Sequence, residues 1–220
     1  MIIAKPEIKI VGTKSYKEML EKLERIGRVC YKSEGNIADG SAERFIGNII
    51  KRGHESVIEH ESISVSIICD RGVTHEIVRH RIASYSQEST RYCNYSQDKF
   101  GNQITCIDLA TGFSYNLDDE KDLAKYNLWK EACEAAEKYY FKLLELGATP
   151  EEARSVLPNS LKTEIMVTMD IREWRHFFRL RSSLRAHPQM REISDALLDK
   201  FAEEFPLFFK DIKEEFEKED

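Results

Sequence analysis

Several things are missing from this chain of 220 residues, and each absence excludes a class of protein. No apolar run approaches the roughly 20 residues that a membrane-spanning helix needs. The opening Met1-Ile2-Ile3-Ala4-Lys5-Pro6 lacks the basic-then-apolar order of a secretory signal. Positive charge is in deficit: the net charge is −6, whereas a general nucleic-acid binder carries a basic footprint. The five cysteines, at 30, 69, 93, 106 and 133, are odd in number and form no Cys-x-x-Cys pair. That fits free thiols in a reducing cytoplasm rather than a disulfide framework. No internal repeat, low-complexity linker or shift in composition divides the chain. A single cytoplasmic domain over residues 1–220 is expected, with neither membrane nor nucleic acid as partner. With 41% hydrophobic and 33% charged residues, it is long enough to bury a substantial core.

Periodicity outlines the elements. Residues 8–12 read as a short strand. Met19, Leu23 and Ile26 recur at helical spacing over 15–29. Ser41 is placed to cap a second helix carrying Phe45, Ile46, Ile49 and Ile50, with Gly53 placed to end it. Ser62 to Ile67 alternates serine with Ile63, Val65 and Ile67, a half-buried strand. Arg71 to Ile82 reads as a helix with Val73, Ile77 and Val78 inward. Residues 93–117 read as loop with a short strand, and 118–146 as a long helix, with or without a break, that Gly147 ends. Thr149-Pro150-Glu151-Glu152 is a helix start: a cap, proline at the first helical position, and glutamate three residues after the cap. Leu161 to Asp170 alternates as a strand. Arg172 to Arg181 is a helix with buried aromatics, and a final amphipathic helix leads into a charged tail, 213–220.

The chemistry gathers in Arg79-His80-Arg81-Ile82-Ala83-Ser84-Tyr85-Ser86-Gln87-Glu88-Ser89-Thr90-Arg91-Tyr92. Only Ile82 and Ala83 are plainly apolar, so burial does not account for the segment. Guanidinium forks bind phosphate or carboxylate bidentately, and hydroxyls and amides add directional bonds. The composition suits an anionic ligand with a polar ring, such as a nucleotide. On a helix, Arg79 and Arg81 would point about 200° apart, which suits two neighbouring ligands, or a ligand and a structural partner. The plainer alternative is a set of surface ion pairs, each worth about 0–1 kcal/mol.

Gly53-His54-Glu55-Ser56-Val57-Ile58-Glu59-His60 invites a metal reading. The zincin spacing requires histidines at i and i+4 on a helix, and position 58 is isoleucine, so no metal is expected.

Arg79-His80-Arg81, then Ser89, Arg91 and Tyr92, resembles the signature of the flavin-dependent thymidylate synthases. Residues 53–60 resemble that family's Gly-His-x-Ser/Thr-x-x-Glu-His block, and Arg154-Ser155-Val156-Leu157-Pro158 its Arg-x-x-Leu-Pro element. The resemblance covers blocks from about residue 53 to 192. It implies an α+β single domain, with a mixed or antiparallel sheet and flanking helices, assembled as a homotetramer with shared active sites. The implied reaction is methylation of dUMP to dTMP, with 5,10-methylenetetrahydrofolate as carbon donor and FAD, reduced by NADPH, as hydride source. No cysteine nucleophile takes part.

By the same resemblance Glu76, Ile77, Val78, Arg79, Gln87, Glu88, Ser89, Thr90, Arg91, Arg154 and Arg181 would hold dUMP. His54, Ser56, Arg79, His80, Arg81, Gln87, Asp170, Arg172 and His176 would hold FAD, and Arg181 would polarise the uracil ring. Two departures stand out: Ser86-Gln87 where many relatives carry Asn-Glu, and Asp170 where many carry Asn. Two other classes compete. One is a single-stranded nucleic-acid module stacking bases on Tyr85, Tyr92 and Tyr95. The other is a non-catalytic oligomer whose arginines serve salt bridges.

Overall fold

Two runs of period-two alternation, 62–70 and 162–170, become the centre of the molecule. The computed structural model describes residues 1–12 and 14–218, apart from the side chain of Lys99. In chain order the strands are β1 (Ile2–Ala4), β2 (Glu7–Val11), β3 (Ser62–Asp70), β4 (Ala83–Gln87), β5 (Thr105–Ile107) and β6 (Lys162–Asp170). The helices are α1 (Tyr16–Val29), α2 (Ser41–Lys51), α3 (Arg71–Ile77), α4 (Leu109–Gly112), α5 (Glu120–Glu145), α6 (Pro150–Ala153), α7 (Ile171–Arg181), α8 (Pro188–Glu204) and α9 (Pro206–Phe216).

β3 and β6 pair antiparallel over their full length, Ser62 opposite Asp170 and Asp70 opposite Lys162. β2 joins β3 and β4 joins β6, giving the sheet order β2-β3-β6-β4. β1 and β5 pair parallel in a separate sheet. Alternation sends Ile63, Val65, Ile67, Ile165, Val167 and Met169 to one face. That face packs on Met19, Leu23, Ile46, Trp174, Phe177, Phe178, Leu197, Phe201 and Phe208 from the helices. The opposite face is polar, with Ser64 bonded to Thr168 at 2.8 Å and Ser66 donating to Glu164 at 2.6 Å. The architecture is therefore α+β, helices against one side of an antiparallel sheet. Among the described residues no helix is long and apolar enough to cross a membrane.

β3 and β6 end alike. Asp70 accepts from the backbone N–H of Val73 at 2.7 Å and starts α3; Asp170 accepts from that of Glu173 at 2.8 Å and starts α7. This repeated strand–aspartate–helix unit leaves little trace in the sequence, because only the cap residue is shared.

Several expectations are corrected. The helix expected to reach Ile82 stops at Ile77. The Tyr85 hydroxyl donates to the carbonyls of Ile77 (2.9 Å) and His80 (2.5 Å), taking acceptors that another helical turn would need. The chain then turns and runs back as β4, an element absent from the sequence reading. Gly40, at φ 70°, caps α2 in place of Ser41, whose hydroxyl donates instead to Glu24 at 2.6 Å. The single final helix is two: Pro206 lacks the N–H to continue α8 and opens α9. α9 also takes in the first residues of the expected tail. α5 is unbroken over 26 residues, and 93–117 also contains α4.

Candidate active site

α7 carries Glu173, Phe177 and Arg181 at i, i+4 and i+8, one stripe of the helix. Against that stripe lies His80, in the turn after α3, its ring 4.9 Å from that of Phe177. His80 Nδ1 is 2.9 Å from Glu173 Oε1 and Nε2 is 3.1 Å from Arg181 Nε. An arginine Nε always carries hydrogen and accepts nothing. His80 Nε2 must therefore be the acceptor, which assigns the ring proton to Nδ1, donated to Glu173.

Arg181 also donates from Nη1 to Glu76 Oε2 at 2.5 Å and from Nη2 to the Glu76 carbonyl at 2.8 Å. Three of its five N–H groups are thus engaged, leaving one on each terminal nitrogen. His80 is 4% exposed and Arg181 9%, so both sit in a low-dielectric pocket. Burial, helped by the Arg181 charge, pulls the His80 pKa below its ordinary value against the opposing pull of Glu173. The imidazole is neutral at pH 7.

The other end of β4 carries a second polar cluster. Glu88 pairs with Lys162 at 3.0 Å and accepts from the Tyr95 hydroxyl at 3.1 Å. Arg71 donates to the Glu88 carbonyl at 3.3 Å, and Arg154 to the Thr90 hydroxyl at 3.4 Å. Arg91 lies 3.7 Å from Glu151, half-exposed and loosely held. Gln87 donates to the hydroxyls of Thr74 and Thr163 at 3.2 and 3.3 Å.

Beside α7 opens a groove of about 480 Å³ lined by Glu55, Glu59, Ile82, Asp170, Arg172, Glu173, His176 and Arg179. Arg172 is held there by Glu55 and Glu59. Burial raises the Asp170 pKa, although the backbone bond it accepts from Glu173 opposes the rise. His54 bonds the Tyr31 hydroxyl at 3.1 Å, and Ser56 is exposed on the short turn that follows. Arg79 and Arg81 are exposed, and among the described residues no carboxylate forms an ion pair with either. Of the same stretch Ile82 lines the groove, and Val78, expected to face inward, is exposed as well. Such a donor set fits an anionic dinucleotide with a planar ring: free guanidiniums for a pyrophosphate, aliphatic surface for the ring.

The structure revises the expected set. Ile77 is fully buried and its carbonyl is taken by Tyr85, so its side chain meets the core, not a ligand. Arg79 and Arg81 stand on a turn, and the helical-wheel argument for their divergence lapses. His80 has both ring nitrogens engaged within the protein, leaving none for a direct hydrogen bond to FAD. Tyr95 is 6% exposed and Tyr85 spends its hydroxyl on backbone, so of the three tyrosines proposed as a base-stacking groove only Tyr92 lies open.

His80, Glu173 and His176 place ligand atoms within 4.8 Å of one another, the spacing of a metal site. A metal would need Nδ1 of His80 bare, whereas the Arg181 bond requires that nitrogen to carry the proton. In the sequence Glu173 is one charged residue among several on the expected helix 172–181, with nothing to single it out. The sequence had no signal at all for Lys162 or Arg71, which enter through strand pairing.

The chain matches the family model described as thymidylate synthase complementing protein over residues 13–207. It is 35% identical over 167 residues to the flavin-dependent thymidylate synthase of Pyrococcus furiosus, an alignment covering 76% of this chain and 65% of that protein, just under two thirds. Against the Geobacter sulfurreducens protein of the same name, identity is 35% over 191 residues, covering 84% of this chain and 78% of the relative. The crystal structure of the UMP/dUMP methylase PolB from Streptomyces cacaoi, bound with 5-Br dUMP, superposes with a TM-score of 0.78 at 19% identity, covering 96% of each chain. At that identity the likeness is one of fold.

Proposed function

The chain belongs to the thymidylate synthase complementing protein family, and on that premise we propose that it methylates C5 of dUMP to give dTMP in a reducing cytoplasm. The observation that carries the reading is Arg181: a buried guanidinium, braced by His80 and Glu76, with one N–H left on each terminal nitrogen. Those remaining N–H groups can meet uracil at N3 and the C2 carbonyl, where negative charge on the ring develops. Negative charge pushed onto that edge makes C5 more nucleophilic, and donors fixed in advance in a dry pocket stabilise it without reorganising.

Ser89, Arg91 and Arg154 would take the phosphate, and Glu88 and Thr90, held by Lys162 and Arg154, shape that end. The two clusters lie at opposite ends of β4, Ala83–Gln87. The reading includes a homotetramer in which protomers share their active sites.

Arg79 and Arg81 would hold the FAD pyrophosphate, with His54, Ser56, Gln87, Asp170, Arg172 and His176 around the rest. Once bound, FAD supplies the hydride, with NADPH as its reductant. 5,10-Methylenetetrahydrofolate gives the carbon. The reading uses no cysteine nucleophile: Cys69 and Cys106 are buried with thiol pKa values pushed up, and Cys133 lies in the separate cluster around Tyr140.

The test is the visible spectrum of the purified protein with FAD, then with NADPH and dUMP under anaerobic conditions. A bound flavin that bleaches with NADPH, and yields dTMP when methylenetetrahydrofolate is added, is the expected result. A protein that takes up no flavin and makes no dTMP overturns the reading.

A further inference from the structure

We infer that Glu173 is a positioning residue: by accepting the Nδ1–H of His80, it holds the tautomer whose bare Nε2 receives the Nε–H of Arg181, and so sets the plane of that guanidinium. The link to catalysis rests on the function proposed above; the link between Glu173 and Arg181 does not.

The geometry carries the inference in three steps. Glu173 and Arg181 lie eight residues apart on α7, about 12 Å along the helix, too far to touch. His80 spans them, 2.9 Å from one and 3.1 Å from the other. Arg181 offers only a donor, so a neutral His80 with its proton on Nε2 would point N–H at N–H, and the buried pair would lose its bond. An acceptor at Nδ1 is what makes the other tautomer the stable one.

Glu173 is free for this task. In a capping box its carboxylate would turn back to the backbone of the cap residue; here Asp170 caps the helix and the Glu173 side chain goes to His80. Its carboxylate is 11% exposed and the imidazole 2%, so neither finds a ready substitute in water.

The charged and titratable groups facing His80 are Glu173, His176 and Arg181 from α7, with Glu76 of α3 behind Arg181 and Tyr85 of β4 on the His80 carbonyl. Protonation of His80 makes both ring nitrogens donors, which strengthens the Glu173 bond and abolishes the one to Arg181. Acid should therefore disengage Arg181 through His80. Because burial depresses the His80 pKa, this happens below its ordinary value of 6.5.

Ring ¹⁵N NMR of histidine-labelled protein, with His80 identified among the six histidines by its loss in His80→Gln, tests the tautomer directly. The expected spectrum shows His80 protonated on Nδ1 and bare at Nε2. The reverse assignment overturns the inference whether or not the protein methylates anything. Glu173→Leu should redistribute the tautomers and lower kcat roughly 10- to 100-fold, the size of effect seen when the partner that orients a ligand-holding imidazole is removed. The KM for dUMP should move less.

Glu173→Gln keeps an acceptor but not the charge. It should retain the tautomer and most of kcat, while shifting the acid limb of the kcat profile to lower pH. An unmoved acid limb in Glu173→Gln, or an unmoved tautomer in Glu173→Leu, overturns the inference. Should Glu173→Leu fail to fold, the wild-type spectrum and the Glu173→Gln profile decide it.

Discussion

Asp70 and Asp170 terminate the two strands of one antiparallel pair, at opposite ends, and each caps the helix that follows it. The first of those helices delivers Glu76 and the second Glu173 and Arg181, so the two caps set the frame in which the site closes.

Asp170→Asn should leave the cap intact, since asparagine caps as well as aspartate. Burial raises the Asp170 pKa. A group with a raised folded pKa lends stability below its unfolded value, lost as pH rises through the folded one, so at pH 7 the buried charge is a cost. Thermal melts should place Asn at or above wild type at pH 7, and Asp170→Ala about 1 kcal/mol below it.

Arg181→Ala should reduce dTMP formation roughly 10²- to 10³-fold, the usual loss for one preorganised donor group. Arg181→Lys should recover little, because an ammonium lacks the parallel fork. Single-turnover kinetics on flavin-loaded protein measures this; near-normal turnover in the alanine variant would remove Arg181 from the chemistry.

Each cysteine changed singly to alanine should leave turnover within about 3-fold of wild type, since a thiolate nucleophile would cost orders of magnitude. Changed to serine, buried Cys69 should lose about 1–3 kcal/mol of stability, because a hydroxyl in that apolar core lacks a partner. Loss of chemistry at one position, with binding and folding intact, would restore a thiolate mechanism.

Gly112→Ala should destabilise by roughly 1–3 kcal/mol. A Cβ there would lie 2.5 Å from Gln189 Cγ and 3.0 Å from its Cα, so α4 and α8 must part. Denaturant unfolding gives the value, and wild-type stability would mean the helices shift freely.

The fold should weaken in mild acid. His80 has a folded pKa depressed below 6.5, so its share of stability is present above that value and is lost as pH falls. As pH falls below 6.5, His80→Gln should lose less stability than wild type, since it has no imidazole to protonate. Parallel melting curves over that window would assign the effect to other groups.

Much of this protein is local in origin and therefore legible in the chain. Period-two alternation determined β3 and most of β6. Helical spacing determined α1 and the aromatic side of α7, and a composition rich in Ala, Leu, Glu and Lys determined α5. Thr149 with Glu152, two cap residues in sequence reach, determined the start of α6. The signature residues themselves marked the family.

What the sequence withheld depends on partners brought from afar. Glu173 meets His80 across 93 residues, and Arg181 meets His80 and Glu76 across 101 and 105. Burial turned His80 from an expected flavin contact into a neutral brace. The Tyr85 hydroxyl ended α3 early by capturing two carbonyls, creating β4. That strand then placed the Arg154 and Arg181 clusters at its two ends, because its pairing with β6, decided between residues far apart in the chain, is recorded in no local pattern.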